Sequence, residues 1–107
     1  MPVRGKLVRD RIPDIIRDSG AEPVTRTATP SEYRQRLRLK LREETAEFLA
    51  ATPETAPEEL ADVLEVVLAL ALDMGMNAAQ LEKIRAQKAE ARGGFGLRTV
   101  WLGNVSS

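Results

Sequence analysis

The chain predicts an all-α fold: a small four-helix bundle, completed by a second copy of itself, with a short extended C-terminal tail. Three observations lead there. Apolar residues recur at helical spacing between Pro- and Gly-rich breaks, helix-start signals stand ahead of those stretches, and the third stretch is apolar nearly all round. A helix of that last kind needs cover on most sides, and a chain of 107 residues has little other core to offer it.

The first helix is brief, beginning after Asp10 in "RDRIPDIIRDSG" and stopped by Gly20. "AEPVTRTA" has no helical period and is expected to be an extended loop. Thr29 as N-cap, Pro30 at the first helical position and Glu32 placed for a capping box open the second helix, which runs to about Ala51. "TPETAP" breaks it. Thr55, Pro57 and Glu58 offer a capped start to the third, which ends at Met74 and Gly75. Asn77 with Gln80 opens the fourth, closed by Gly93 and Gly94. The remainder, "FGLRTVWLGNVSS", mixes β-formers with Gly and is expected to form a short strand or hairpin before fraying. Short connections favour antiparallel neighbours, in one domain spanning residues 1–107.

Composition narrows the chemistry. Lys+Arg 16 against Asp+Glu 16 gives zero net charge, so no overall field attracts nucleic acid or anionic lipid. The basic residues are not interleaved with aromatics, so nucleic acid is not an expected partner. Without cysteine there are no disulfides, thiolate zinc sites or thiol nucleophiles, and a reducing cytoplasm is the expected location. Histidine is also absent, which leaves acid–base work to carboxylates, lysine, tyrosine or a metal-activated water. Arg4, Lys6, Arg9, Asp10 and Arg11 interrupt any leader-like opening, and the apolar stretch Val63–Leu72 carries Glu65 and is too short to span a membrane.

The informative anomaly is where the acids fall. At about 100° per residue the second helix places Tyr33, Leu37, Leu41, Glu44, Phe48 and Ala51 in one sector with Glu47 at its edge, while Arg34, Arg36, Arg38, Arg42 and Glu43 look solvated. On the third helix Glu59 and Asp62 share a face with Val63, Val66 and Leu70. An ExxE alone usually marks a solvated face, and interior carboxylates are often paired with Arg. A second acidic pair on the most apolar helix shifts that balance. Four clustered like charges need neutralising, and an oxygen-only ligand set selects a hard divalent cation, Mg²⁺ first and Mn²⁺ second. Glu65, one turn beyond Asp62, is a candidate further ligand or supporting group, or equally the partner of a lysine.

Mg²⁺ in such a site commonly keeps positions for substrate phosphates, which also call for Lys or Arg. The stripe of Leu81, Ile84 and Arg85 on the fourth helix runs on into Lys88 and Arg92, and "GKLVRDR" adds Lys6, Arg9 and Arg11. Arg11 is expected to be simply solvated, and Trp101 and Phe95 to cover the edge of the core rather than stack on a base.

"REETAEF" followed by "EELADVLE" resembles the EExxE and ExxD signature of the all-α nucleoside triphosphate pyrophosphohydrolases, the superfamily of MazG, dimeric dUTPases and phosphoribosyl-ATP pyrophosphohydrolase. "GKLVRDRIPDII" and "KAEARGGF" resemble one small branch, predicted house-cleaning enzymes of MazG type. The resemblance implies a MazG-like bundle in which Glu44, Glu47, Glu59 and Asp62 bind Mg²⁺ and Glu43 supports them. It implies that Lys6, Arg9, Asp10, Lys88 and Arg92 lie close to the triphosphate. It also implies homodimers or dimers of dimers with sites near subunit contacts. The expected reaction is hydrolysis of a nucleoside triphosphate, of non-canonical kind, to monophosphate and pyrophosphate, with Glu44 or Glu47 acting on the water. The interval between Glu47 and Glu59 is short for the superfamily, and the additional helices of the dUTPase branch are missing. Two rivals make different demands: phosphoribosyl-ATP as substrate needs the same metal site, whereas a non-catalytic helical dimer serving as a scaffold or regulatory module needs neither metal nor nucleotide.

Overall fold

A computed structural model describes residues 5–106. These residues form an all-helical structure, with four helices in chain order: α1 (Ile12–Asp18), α2 (Pro30–Ala50), α3 (Ala56–Asp73) and α4 (Ala78–Arg92).

Local signals account for most of the boundaries. At the end of α1 the Gly20 N–H donates to Arg17 O and the Ala21 N–H to Ile16 O, with Gly20 at φ +96°, the left-handed C-terminal arrangement that glycine permits. The same pattern closes α3, where Gly75 N–H reaches Leu72 O and Met76 N–H reaches Ala71 O. At the start of α4 both halves of a capping box form between Asn77 and Gln80, at 2.8 Å each.

Two start signals are used differently from expectation. Thr29 Oγ1 accepts from the Glu32 N–H at 3.2 Å, but the reciprocal half of that box does not form. The Glu32 carboxylate instead accepts from Arg26, at 2.6 and 2.7 Å, and from Arg36 at 2.8 Å. Two guanidinium groups outcompete a single backbone N–H for an ionised oxygen pair. Thr55 caps nothing with its side chain, because its backbone is already helical (φ −97°, ψ −16°) and its hydroxyl lies 3.1 Å from that of Thr52.

Packing centres on α2 and α3, with α4 touching α3. The α2–α3 hairpin is antiparallel: Arg34 near the start of α2 donates to Asp73 at the end of α3 at 3.0 Å, while Glu44 farther along α2 meets Glu59 and Asp62 early in α3. Leu37 and Ala71, the buried apolar residues among those described, lie toward the Arg34–Asp73 end of this hairpin. Tyr33, Leu41, Glu44, Phe48 and Ala51 are half-buried, as the helical period predicts, and Glu47 is exposed. Arg36 corrects the sequence reading: it is 9% exposed, not solvated, and joins Glu32 to the Gly5 carbonyl at 3.2 Å. That bond fastens the N-terminal segment along α2.

Residues 94–106 carry no regular secondary structure, so the extended tail is present and the expected strand or hairpin is not. Phe95 and Trp101 do not cover a core edge; both are exposed. A β-segment needs a ladder partner for its N–H and C=O groups, and none lies beside it among the described residues. The Cα radius of gyration is 18.6 Å, against about 13 Å for a compact chain of this length. One copy therefore forms an open helical hairpin with appended helices, rather than a closed bundle.

Candidate metal centre

The antiparallel register sets the acidic face of α2 against that of α3. Glu44, Glu59 and Asp62 each offer a carboxylate oxygen, and these atoms lie within 4.8 Å of one another. The helical period supplies the direction of each side chain and the short "TPETAP" turn supplies the register, so residues from two separate motifs converge.

The electrostatics of the cluster are unrelieved at two points. The Glu44 side chain is only 13% exposed. Burial first, and then the neighbouring charges of Glu47 and Asp62, push its carboxyl above the ordinary range, while Lys40 pulls the other way. Glu59 Oε2 is buried and has no hydrogen-bond partner. A buried carboxylate oxygen without a donor costs free energy, and a cation would satisfy it. The donor set is entirely hard oxygen, so the residues present fit Mg²⁺ or Mn²⁺.

Two cations already lean on the cluster. Arg9 Nη2 donates to Asp62 Oδ1 at 2.7 Å, with the two side chains 59% and 41% exposed. The Lys40 ammonium lies 3.6 Å from Glu44 and 3.7 Å from Glu43. Lys40 also lines a shallow cleft of about 200 Å³ with Lys6, Arg36 and Glu43. Acidic and basic patches thus meet at Lys40.

The other residues singled out in the sequence are placed less centrally. Glu47 is exposed but close enough to raise Glu44, and Glu43 stands beside Lys40 at the rim. Asp10 is exposed in the turn before α1. Lys88 and Arg92, in the last two turns of α4, are exposed and form no ion pair among the described residues. Glu65 is exposed, belongs to no acidic cluster among the described residues and pairs with no lysine there. Arg85 is engaged locally, bidentate to Glu82 at 2.6 and 2.8 Å. Lys40 is the contributor that sequence reasoning misses. Its signal is an ordinary i, i+4 spacing to Glu44, which on most helices means a solvated pair.

Comparison with known proteins adds one relative. An uncharacterised protein of Mycolicibacterium smegmatis is 52% identical over 54 residues, a match covering 50% of this chain and 55% of that protein. No protein-family profile matches the chain. No solved structure matches it.

Proposed function

We propose that the protein is a Mg²⁺-dependent nucleoside triphosphate pyrophosphohydrolase, MazG-like in fold and acting as a homodimer or a dimer of dimers. The observation that carries this reading is the convergence of Glu44, Glu59 and Asp62, with the Glu59 oxygen buried and unpartnered. The resemblance of "REETAEF" and "EELADVLE" to the pyrophosphohydrolase signature names the reaction.

Glu44, Glu59 and Asp62 would hold the ion, with Glu47 entering from the exposed edge. When bound, the cation supplies Lewis acidity and offsets charge on the phosphates. The chain's own groups do the rest. Glu47 or Glu44 orients water and accepts its proton as the oxygen attacks the α-phosphorus, the bond to the bridging oxygen breaks, and pyrophosphate leaves. The cleft cations Lys6 and Lys40, together with Lys88 and Arg92, stabilise oxygens of the leaving group.

No helix among the described residues is long and apolar enough to cross a membrane. Exposed Leu60, Leu64 and Leu72 on α3 support association with a second copy.

The test is pyrophosphate release from a panel of ordinary and modified nucleoside triphosphates, with and without Mg²⁺, using Asp62→Ala as control. Release that requires Mg²⁺ and disappears in the variant supports the proposal, and the fastest substrate identifies the base. If every nucleotide stays intact, the acids are structural and a non-catalytic helical dimer takes its place.

A further inference from the structure

We propose that Arg9 is a built-in counter-ion of the carboxylate cluster, resting on Asp62 in the metal-free protein and transferring to substrate phosphate when a divalent cation takes its place. The inference rests on the pyrophosphohydrolase reading and adds to it a coupling between cation and polyphosphate.

Three features of the geometry support it. First, the guanidinium holds the carboxylate of a residue of the acidic cluster: Arg9 Nη2 is 2.7 Å from Asp62 Oδ1, across 53 residues of sequence. A cation held by Asp62 would repel a guanidinium bound to the same carboxylate, so the two compete for it. Second, the pair is easy to break. Both side chains keep a large share of their solvent contact, at 59% and 41% exposure, and exposed ion pairs of this kind contribute little. A buried, fully bonded pair would instead resist displacement.

Third, the displaced group stays close by. The segment carrying Arg9 is fastened on one side by the Arg36 bond to the Gly5 carbonyl and on the other by the Ile12 N–H bond to the Arg9 carbonyl at the entry to α1. Only the side chain is released. Leu7, two residues before Arg9, lines the cleft that presents Lys6 and Lys40, and the planar fork of Arg9 suits bidentate recognition of phosphate oxygens.

The consequence is that Arg9 contributes to polyphosphate binding only after a cation has freed it. Calorimetric titration of the whole protein with Mg²⁺, and with inorganic tripolyphosphate at zero and saturating Mg²⁺, compares wild type with Arg9→Gln. Tripolyphosphate avoids any dependence on the base. The expected pattern has opposite signs. Arg9→Gln binds Mg²⁺ roughly two- to fivefold more tightly, the fold-change equivalent of no longer displacing one exposed ion pair. It binds tripolyphosphate several-fold more weakly at saturating Mg²⁺, and without Mg²⁺ it matches wild type. Arg9→Lys, which keeps the charge and loses the fork, falls between them and serves if the glutamine variant loses its helical circular dichroism.

Equal Mg²⁺ affinity in wild type and Arg9→Gln overturns the counter-ion role and leaves the metal site standing. Weaker tripolyphosphate binding in Arg9→Gln at zero as well as saturating Mg²⁺ also overturns it, making Arg9 a plain phosphate ligand. No Mg²⁺ uptake by wild type removes both this inference and the reading beneath it.

Discussion

Glu44 shows how one residue reports the state of the cluster. Its carboxyl titrates above the usual value of 4.5 because of burial and acidic neighbours. In the metal-free protein the folded state therefore binds that proton more tightly than the unfolded chain. The stability Glu44 contributes is present below 4.5 and is lost as pH rises through its raised value. Glu44→Gln should accordingly melt above wild type at pH 7 without metal, and the gap should close as pH falls toward 4.5. Added Mg²⁺ should raise the wild-type melting temperature more than that of the variant, narrowing or reversing the gap. Glu32 behaves oppositely. Hydrogen bonds from Arg26 and Arg36 hold it down to about 2. Its contribution is present above the usual 4.5 and fades as pH falls toward 2, so Glu32→Gln should be the less stable protein at pH 7 and equal to wild type near pH 2. Both follow from melting curves across pH. The positions of Glu44, Glu59 and Asp62 are legible in the sequence because each is fixed by a helical period. The Arg9–Asp62 contact is not, since no local spacing encodes a bond between residues 53 apart.

Among the elements, the α2–α3 hairpin decides whether the acids meet at all. Its apolar contact is thin, with Leu37 3% and Ala71 2% exposed, so little else compensates for their loss. Leu37→Ala should cost about 3 kcal/mol in chemical denaturation, in the range for a buried leucine truncated beside partly yielding neighbours. It should also weaken Mg²⁺ binding, although it touches no ligand. At the start of α4, Asn77→Ala removes an acceptor that caps the helix and should cost about 1 kcal/mol. Helix existence and ends are readable from Pro30, Gly20, Gly75 and the Asn77–Gln80 box, because caps are local chemistry. The capping role expected of Glu32 fails because Arg26 and Arg36 claim its oxygens; the Arg36 bond follows an ordinary i, i+4 spacing, but the Arg26 bond is set by loop geometry that no pattern displays. The C-terminal strand fails similarly: β-forming residues are present, but strand pairing needs a second segment.

For the whole molecule the main fact is openness. The extents of 67 × 34 × 32 Å belong to a chain that leaves Leu72 68% exposed on its most apolar helix. The all-round apolar pattern of α3 makes this exposure legible in the sequence, because a helix apolar on most sides is not covered by α2 on one side and α4 on another. The proposed homodimer covers it. Sedimentation should give at least twice the 11.8 kDa of one chain. Leu64→Glu, placing a charge on the exposed side of α3, should shift the protein toward monomer and lower its melting temperature.

The proposed metal centre stands or falls on whether Glu44, Glu59 and Asp62 together hold a hard divalent cation. Mn²⁺ titration followed by electron paramagnetic resonance tests this most directly, because bound ion drops out of the free-ion signal whatever the substrate. Glu59→Gln is the informative partner, as its Oε2 is the buried oxygen that has no donor. Wild type should show saturable loss of free signal, competed by Mg²⁺ and weakened at least tenfold in Glu59→Gln, roughly the loss of one charged ligand. A free-ion signal undiminished by wild type, or uptake unchanged in Glu59→Gln, would contradict the metal centre.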